Sequence, residues 1–298
     1  MIKSITVTNH LGDELTLELE RPEKSGFLVK SITGLGPINA NINTTELSTD
    51  GSIFNSARIS SRNIVMDLAF LWNPTIEEMR LKSYKYFPVK KPIVFKIETD
   101  SRVCEIVGYI ESNEPAIFSS QCGCQVSIIC PEPYFQSVEI NTTIFYGVEP
   151  MFEFPFESTE DGEIETGNIK NKSEEVVTYY GDADTGVSIL IHVINSPGNI
   201  NIYNTQTREQ MHINDAKITT MTGSALKTGD DIIITTSTGN KRISLRRKGV
   251  FINILNCIDK NSDWFTLSMG DNIFVYTAAE GNERLQFTVE NKIMYEGV

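Results

Sequence analysis

The five cysteines and three histidines of this 298-residue chain are the side chains best suited to hold a metal or attack a substrate. Cys122, Cys124 and Cys130 cluster near the middle, and Cys104 stands a strand's length before them. Zinc held by thiolates asks for Cys-x-x-Cys pairs, and these residues do not form them. They share even parity in a stretch where Gly123, Gln125 and Ser127 occupy odd positions. That parity makes them small hydrophobes on the inward face of one strand. His10, His192 and His212 lie far apart and outside any His-Glu-x-x-His pattern. His192 sits in Ile189-Leu-Ile-His-Val-Ile194 and reads as a hydrogen-bonded residue on the polar side of a strand. A Gly-x-Ser-x-Gly elbow, a phosphate loop and a dinucleotide fingerprint are all missing from the sequence. Carboxylates are plentiful, yet none forms a pair set apart by its surroundings, as glycoside hydrolysis would need. The expectation is a protein without catalytic residues, cofactor or metal. Two aromatic pairs, Trp264 with Phe265 and Tyr179 with Tyr180, have the flat faces that stack on sugar rings. Packing is the preferred role for both, and Trp264 with Phe265 is kept as a sugar or partner contact.

The elements that would position such residues are mostly strands. With 40% apolar residues, the chain can make two cores of ordinary size. Its net charge of −13 argues against a protein that neutralises nucleic-acid phosphates. The one dense basic run, Lys241-Arg242 with Arg246-Arg247-Lys248, reads as a solvated face of paired strands. The odd cysteine count and the start on Met1-Ile-Lys-Ser-Ile-Thr, without an apolar leader, point to synthesis and assembly in a reducing cytoplasm. No apolar run approaches the ~20 residues that cross a bilayer, so no membrane insertion is expected.

In chain order, Ile5 and Val7 lead through a turn into Leu15-Thr-Leu-Glu-Leu19, a hairpin with Leu15, Leu17 and Leu19 inward. Phe27 to Ile32 is a third strand. The stretch Ile38 to Arg62 is polar and carries a turn at Asp50-Gly51. It is too polar for a core element and longer than an ordinary connection, which leaves a long hairpin arm or a disordered loop. On the arm reading, Ile42, Leu47, Ile53 and Phe54 are apolar teeth on either side of Asp50 and Gly51, held against a neighbouring subunit. Ile64, Met66, Leu68, Phe70 and Trp72 then share the inward face of a core strand. Asn73 as N-cap and Pro74 at the first helical position open a helix that Pro88 stops, with Ile76, Met79, Ser83 and Phe87 along one stripe. A hairpin of Ile93–Glu98 and Val103–Ile110 precedes the strand from Cys122 to Cys130. Pro131 and Pro133 end that strand. Beyond Gln136 the sequence has almost no helical period. Short strands follow at Val187–Ile194, Ile200–Tyr203, Ile232–Thr236, Lys241–Leu245, Val250–Ile254, Ile273–Thr277 and Arg284–Val289, the spacing of a β-sandwich. The predicted domains are 1–135 and 136–298.

A strand running into Cys130-Pro-Glu-Pro-Tyr-Phe135 resembles the end of the N-terminal domain of the distal tail (Dit) proteins of long-tailed phages. The order of elements before it, strands, polar arm, strand near an Arg, single helix and hairpin, is also similar to that domain. Pro150-Met-Phe-Glu-Phe-Pro-Phe156 looks like a segment that follows the hinge in many tail proteins of this type. Leu226-Lys-Thr-Gly-Asp-Asp-Ile-Ile-Ile234 and Ser262-Asp-Trp-Phe-Thr-Leu-Ser-Met-Gly-Asp-Asn-Ile273 resemble motifs of the family's C-terminal domain, a galectin-like or carbohydrate-module-like β-sandwich. Each also has a plain reading, a glycine turn feeding a strand and an aromatic core segment.

The resemblance implies a mainly β chain whose N-terminal domain is a sandwich-like ring former with one helix and a long arm. It implies a virion tail-tip component, part of the baseplate. Six copies would form a ring that continues the tail tube and joins it to the hub or fibre protein. Receptor-binding proteins or cell-wall glycan are further implied partners, and DNA would pass through the lumen without specific binding. The alternative is a carbohydrate-binding module or lectin-like adhesin without catalytic activity, which needs the sandwich but not the arm.

Overall fold

Alternation builds the first strands. In β1 (Ile2–Thr8) and β2 (Glu14–Glu18), Ile5, Val7, Leu15 and Leu17 are buried while the residues between them face water. Leu19 lies past the end of β2 and is only half-buried. The computed structural model describes residues 1–72, 75–116, 122–150 and 167–298. It divides into two units, Met1–Val138 with Met294–Val298, and Glu139–Ile293. Among the described residues no helix is long and apolar enough to cross a membrane.

After a single helical turn, α1 (Pro22–Ser25), the first unit continues with β3 (Phe27–Thr33), β4 (Ala40–Glu46), β5 (Ser52–Ile59) and β6 (Arg62–Phe70). Helix α2 (Ile76–Tyr86) precedes β7 (Pro92–Thr99), β8 (Val103–Pro115), β9 (Gly123–Cys130) and β10 (Phe135–Ser137). One antiparallel sheet runs β2-β1-β7-β8-β9-β6-β3, with β10 paired to β8. Its inward face carries Ile64, Met66, Leu68, Phe95, Ile106, Val126, Ile128, Cys104, Cys124 and Cys130 in a single core. Helix α2 packs on that core through Met79 and Ser83, and Phe87 at its C-cap is buried with them. Its N-cap is Thr75, whose Oγ1 accepts from Glu78 N at 3.2 Å. The expected cap Asn73 and Pro74 lie outside the described residues. Trp72 does not join the core strand: β6 stops at Phe70, and Trp72 is 81% exposed.

The last residues correct the predicted domains. Met294–Tyr295 pair antiparallel with Phe135 and Gln136 of β10, and Val298 N donates to Leu35 O at 3.1 Å. Residues 294–298 thus complete the first unit, because β10 offers them a free edge.

The second unit is a sandwich. Its six-stranded sheet has the order Asn141–Ile144, Leu285–Asn291, Ser188–Val193, Asp231–Thr235, Arg242–Arg247 and Val250–Asn253. Its four-stranded sheet has the order Glu174–Tyr179, Gly270–Ala278, Ile200–Asn204 and Glu209–Ile213. The inner faces share one core, in which Tyr276 of the smaller sheet stacks on Phe287 of the larger with centroids 4.8 Å apart. The segment Pro150 to Phe156 falls, after Pro150, outside the described residues.

The sequence reading has no helix here, yet α3 (Asp215–Thr222) forms, capped by Asn214 and ended by Gly223 at φ 78°. Thr219, Thr220 and Thr222 send their hydroxyls back to carbonyls four residues earlier. Threonine is a weak helix former, and Ile218 alone is buried, so no apolar stripe announces the helix.

The Tyr276 hydroxyl is buried with no hydrogen-bond partner among the described residues, and burial pushes its pKa up to about 12. Tyr276→Phe removes that orphan while keeping the ring stack. The substitution is expected to be neutral or to stabilise the second unit by up to about 1 kcal/mol in urea melts, and a loss above about 1 kcal/mol would reveal a partner.

Candidate assembly site: the arm and its root

Among the described residues, the strands β4 and β5 pair only with each other. Their register sets Ala40 against Ile59, Ile42 against Ala57 and Thr44 against Phe54, with a bulge at Asn55 between Asn43 and Thr44. Opposed residues share a face. One side of the ribbon therefore holds Ala40, Ile42, Thr44, Glu46, Ser52, Phe54, Ala57 and Ile59, and the other holds Asn41, Asn43, Thr45, Ile53, Ser56 and Arg58. Asn41 Nδ2 donates to Ser60 Oγ at 2.8 Å and Asn55 Nδ2 to Thr45 Oγ1 at 2.7 Å. At the tip, Leu47 N donates to Gly51 O, and Gly51 has φ 108°, a conformation that favours glycine. Asp50 precedes it in the same bend and is exposed.

Ile42 and Phe54 are 64% and 62% exposed, and Leu47 and Ile53 are also open to water. A lone hairpin is marginal in water, and among the described residues none covers Ile42 and Phe54. Of the four predicted teeth, Ile42 and Phe54 share one face. Ile53 lies on the opposite side, and Leu47 belongs to the turn.

What holds the ribbon's base is a residue that the sequence reading passed over. Arg62 is the first residue of β6 and is 2% exposed. Its Nη1 donates to Gly34 O and, at 2.8 Å, to Gly36 O; Nη2 donates to Glu296 O at 2.7 Å, and Nε to Pro133 O at 2.6 Å. The guanidinium also lies over the Phe135 ring, 4.5 Å from its centroid. Four carbonyls thus replace the water that a buried cation needs. Burial still pulls its pKa below the ordinary value. Gly34 makes the close approach possible: at φ 84°, a Cβ there would stand 2.1 Å from Asn63 O. The two stems of the arm, the proline exit and the last residues of the chain meet on one side chain.

No family model and no curated protein sequence matches this chain. Solved structures do. The Dit protein of phage SPP1, described as a paradigm of the hub adsorption apparatus in phages that infect Gram-positive bacteria, superposes with a TM-score of 0.64 at 14% identity, over 97% of this chain and 99% of that one. This chain has the Dit fold. A chain of the phage P2 baseplate in its activated conformation with calcium gives a TM-score of 0.53 at 9% identity, covering 98% of both. The baseplate with strontium gives 0.52 at 8%, covering 97% of both.

On the Dit fold the residues first considered for chemistry take structural places. Burial pushes the thiols of Cys104 and Cys130 up to about 11 and that of Cys124 up to about 12, so all three stay protonated at neutral pH. Among the described residues no group of three or more His, Cys, Asp or Glu is placed to hold a metal ion. His192 Nδ1 lies 2.7 Å from Asp231 Oδ1, and Arg246 Nη2 lies 2.8 Å from Asp231 Oδ2. Arg247 is held by Asp230, with Nη2 2.6 Å from Oδ2, and by Thr222, Ser224 and Ala225 O. Two residues of the basic run, Arg246 and Arg247, are thus paired with acids, while Lys241, Arg242 and Lys248 are exposed.

Phe265 takes the core-packing role preferred from the sequence and drops out as the sugar or partner contact also kept for it. It is wholly buried, edge to face with Phe274 at 5.5 Å, and no ligand can reach it. Trp264 is half-buried beside the core, with Lys241 Nζ 5.6 Å from its ring. Tyr179 is also buried and donates to Ala183 O, whereas Tyr180 is exposed.

Proposed function

We propose that this chain is a structural, non-enzymatic component of a phage tail tip, a Dit-type distal tail protein of the virion. The observation that carries this reading is the end-to-end match to SPP1 Dit, which spans both units of the chain. Copies close into a six-membered ring between the tail tube protein and the hub or fibre protein, with receptor-binding proteins or cell-wall glycan met at its periphery. The arm joins neighbouring copies: its Ile42 and Phe54 face lies on the next subunit in the ring. A closed ring repeats one heterologous interface and leaves no sticky end. The chain's net charge of −13 suits a lumen that DNA crosses without binding, since carboxylates repel a polyanion within a Debye length of ~8 Å at physiological salt. Assembly takes place in the host cytoplasm.

Immunogold electron microscopy of virions with antibodies to this chain tests the placement. Label at the distal end of the tail is the expected outcome. Label on the head or spread along the tube would refute a tail-tip role.

A further inference from the structure

The smaller sheet of the second unit carries a cleft on its outer face. It measures about 320 Å³ and is lined by Asn201, Tyr203, Gln210, His212, Asp259 and Asn261, among others. Its floor follows from strand parity. Ile200, Ile202, Met211 and Ile213 turn into the core, which puts the pairs Asn201 with His212 and Tyr203 with Gln210 on the outer face.

The wall is the segment 259–263, and it is pinned. Asp259 N donates to His212 O at 3.1 Å, His212 N to Ser262 Oγ at 3.1 Å, and Asp263 N to Gln210 O at 2.6 Å. Lys217 Nζ donates to Asp259 Oδ1 at 2.8 Å, and His212 Nδ1 lies 2.7 Å from Oδ2.

Three properties narrow the ligand. The Tyr203 hydroxyl, the side-chain amides of Gln210 and Asn261, and His212 Nε2 form no hydrogen bond among the described residues, so donors and acceptors of both kinds face the cleft unspent. Asp259, the one carboxylate among the lining residues, is paired with Lys217, which favours a neutral ligand over an ion. The outer edge of Glu209–Ile213 is already bonded to the 259–263 segment, so an extended peptide cannot add there as a strand. Tyr203, 38% exposed and opposite Val275 on the neighbouring strand, adds an aromatic face. Small-ligand pockets start near this volume, at about 300 Å³.

We propose that this cleft binds a neutral, hydroxyl-rich ligand, a sugar residue of a glycan. Gln210, Asn261 and the free lone pairs of Asp259 meet its hydroxyls, and Tyr203 stacks on the C–H face of its ring. The site lies on side chains other than Trp264 and Phe265, and it stands whether or not the chain works in a tail.

Saturation-transfer NMR on the full chain, with glucose, galactose, rhamnose and N-acetylglucosamine as probes, tests it, backed by an array of neutral bacterial glycans. Transfer to at least one neutral sugar is expected. In the Tyr203→Ala/Asn261→Ala double variant, apparent affinity should fall at least about tenfold, as for the loss of two polar or stacking contacts. Both side chains are exposed, so an unchanged melting curve confirms that the variant folds. Silence from all four sugars and the array, transfer that survives the double substitution, or binding of sugar phosphates in place of neutral sugars would each overturn the proposal.

Discussion

Arg62→Met should be the most damaging single substitution in the first unit. Methionine approximates the length of the arginine stem but supplies no donor, leaving the carbonyls of Gly34, Gly36, Pro133 and Glu296 without the guanidinium that now binds them. Orphaned buried acceptors each cost about 1–3 kcal/mol, and some will recover water as the site opens, so a net loss of about 3–5 kcal/mol is expected. The cost should fall on the first unit, because every partner of Arg62 belongs to it. Arg62→Lys tests the geometry separately. An ammonium keeps the charge, but its three donors radiate from one atom and cannot reach carbonyls spread around a planar fork. It should recover less than half of the loss. Calorimetry that resolves two transitions, or hydrogen exchange of β6 and β10, checks both variants. A first unit that melts within about 1 kcal/mol of the parent would show that the cluster is only a surface contact.

The second large effect concerns the arm. Joining Gly36 to Ser61 through a tight turn removes β4 and β5, neither of which places a residue in the core of the first unit. Folding should survive with a change of about 0.5 kcal/mol or less, as for surface alterations, whereas assembly should be lost. Point variants sharpen the assignment. Phe54→Asp replaces the largest apolar side chain of the face it shares with Ile42 with a charge and should weaken association by about 2–4 kcal/mol, the range of an interface hot spot. Ile53→Asp, on the opposite face, should do much less. Equal effects of the two would mean that the ribbon lies edge-on or is wrapped on both sides. Normal assembly of the shortened chain would place the interface on the globular faces and leave the arm as a loop.

Much of this fold can be read from parity and punctuation. The strands of both units announce themselves by alternating residues such as Ile64, Met66 and Leu68 or Ile189 and Ile191, and Pro131 and Pro133 mark the exit from β9. The arm is legible because a long polar stretch around Asp50-Gly51 has no core to join. Arg62 is equally legible. It has the parity of Ile64 and Met66, and an arginine on an inward position must find partners, which makes such a residue a signal in its own right. Other features were beyond the sequence. Helix α3 lacks an apolar stripe and gains its hydrogen bonds from threonines and a cap. The return of residues 294–298 to β10 joins segments separated by the whole second unit, and no local pattern encodes such a pairing. Trp72 shows the limit of parity: two residues beyond the end of its strand, it escapes the core.

The glycan cleft illustrates the same limit. Asn201, Tyr203, Gln210, His212, Asp259 and Asn261 come from two strands and a loop, and none belongs to a motif. Only the pairing of Ile200–Asn204 with Glu209–Ile213 brings four of them to one face.

The most direct test of a ring closed by the arm is the molar mass of the full chain, measured by light scattering over a wide concentration range, alone and with its tail tube and hub partners. The expected result is a mass of six 33.4 kDa copies that falls to a single copy when the arm is shortened. A full-length chain that stays monomeric at every concentration, together with isolated tails that carry it in some other stoichiometry, would contradict the assignment.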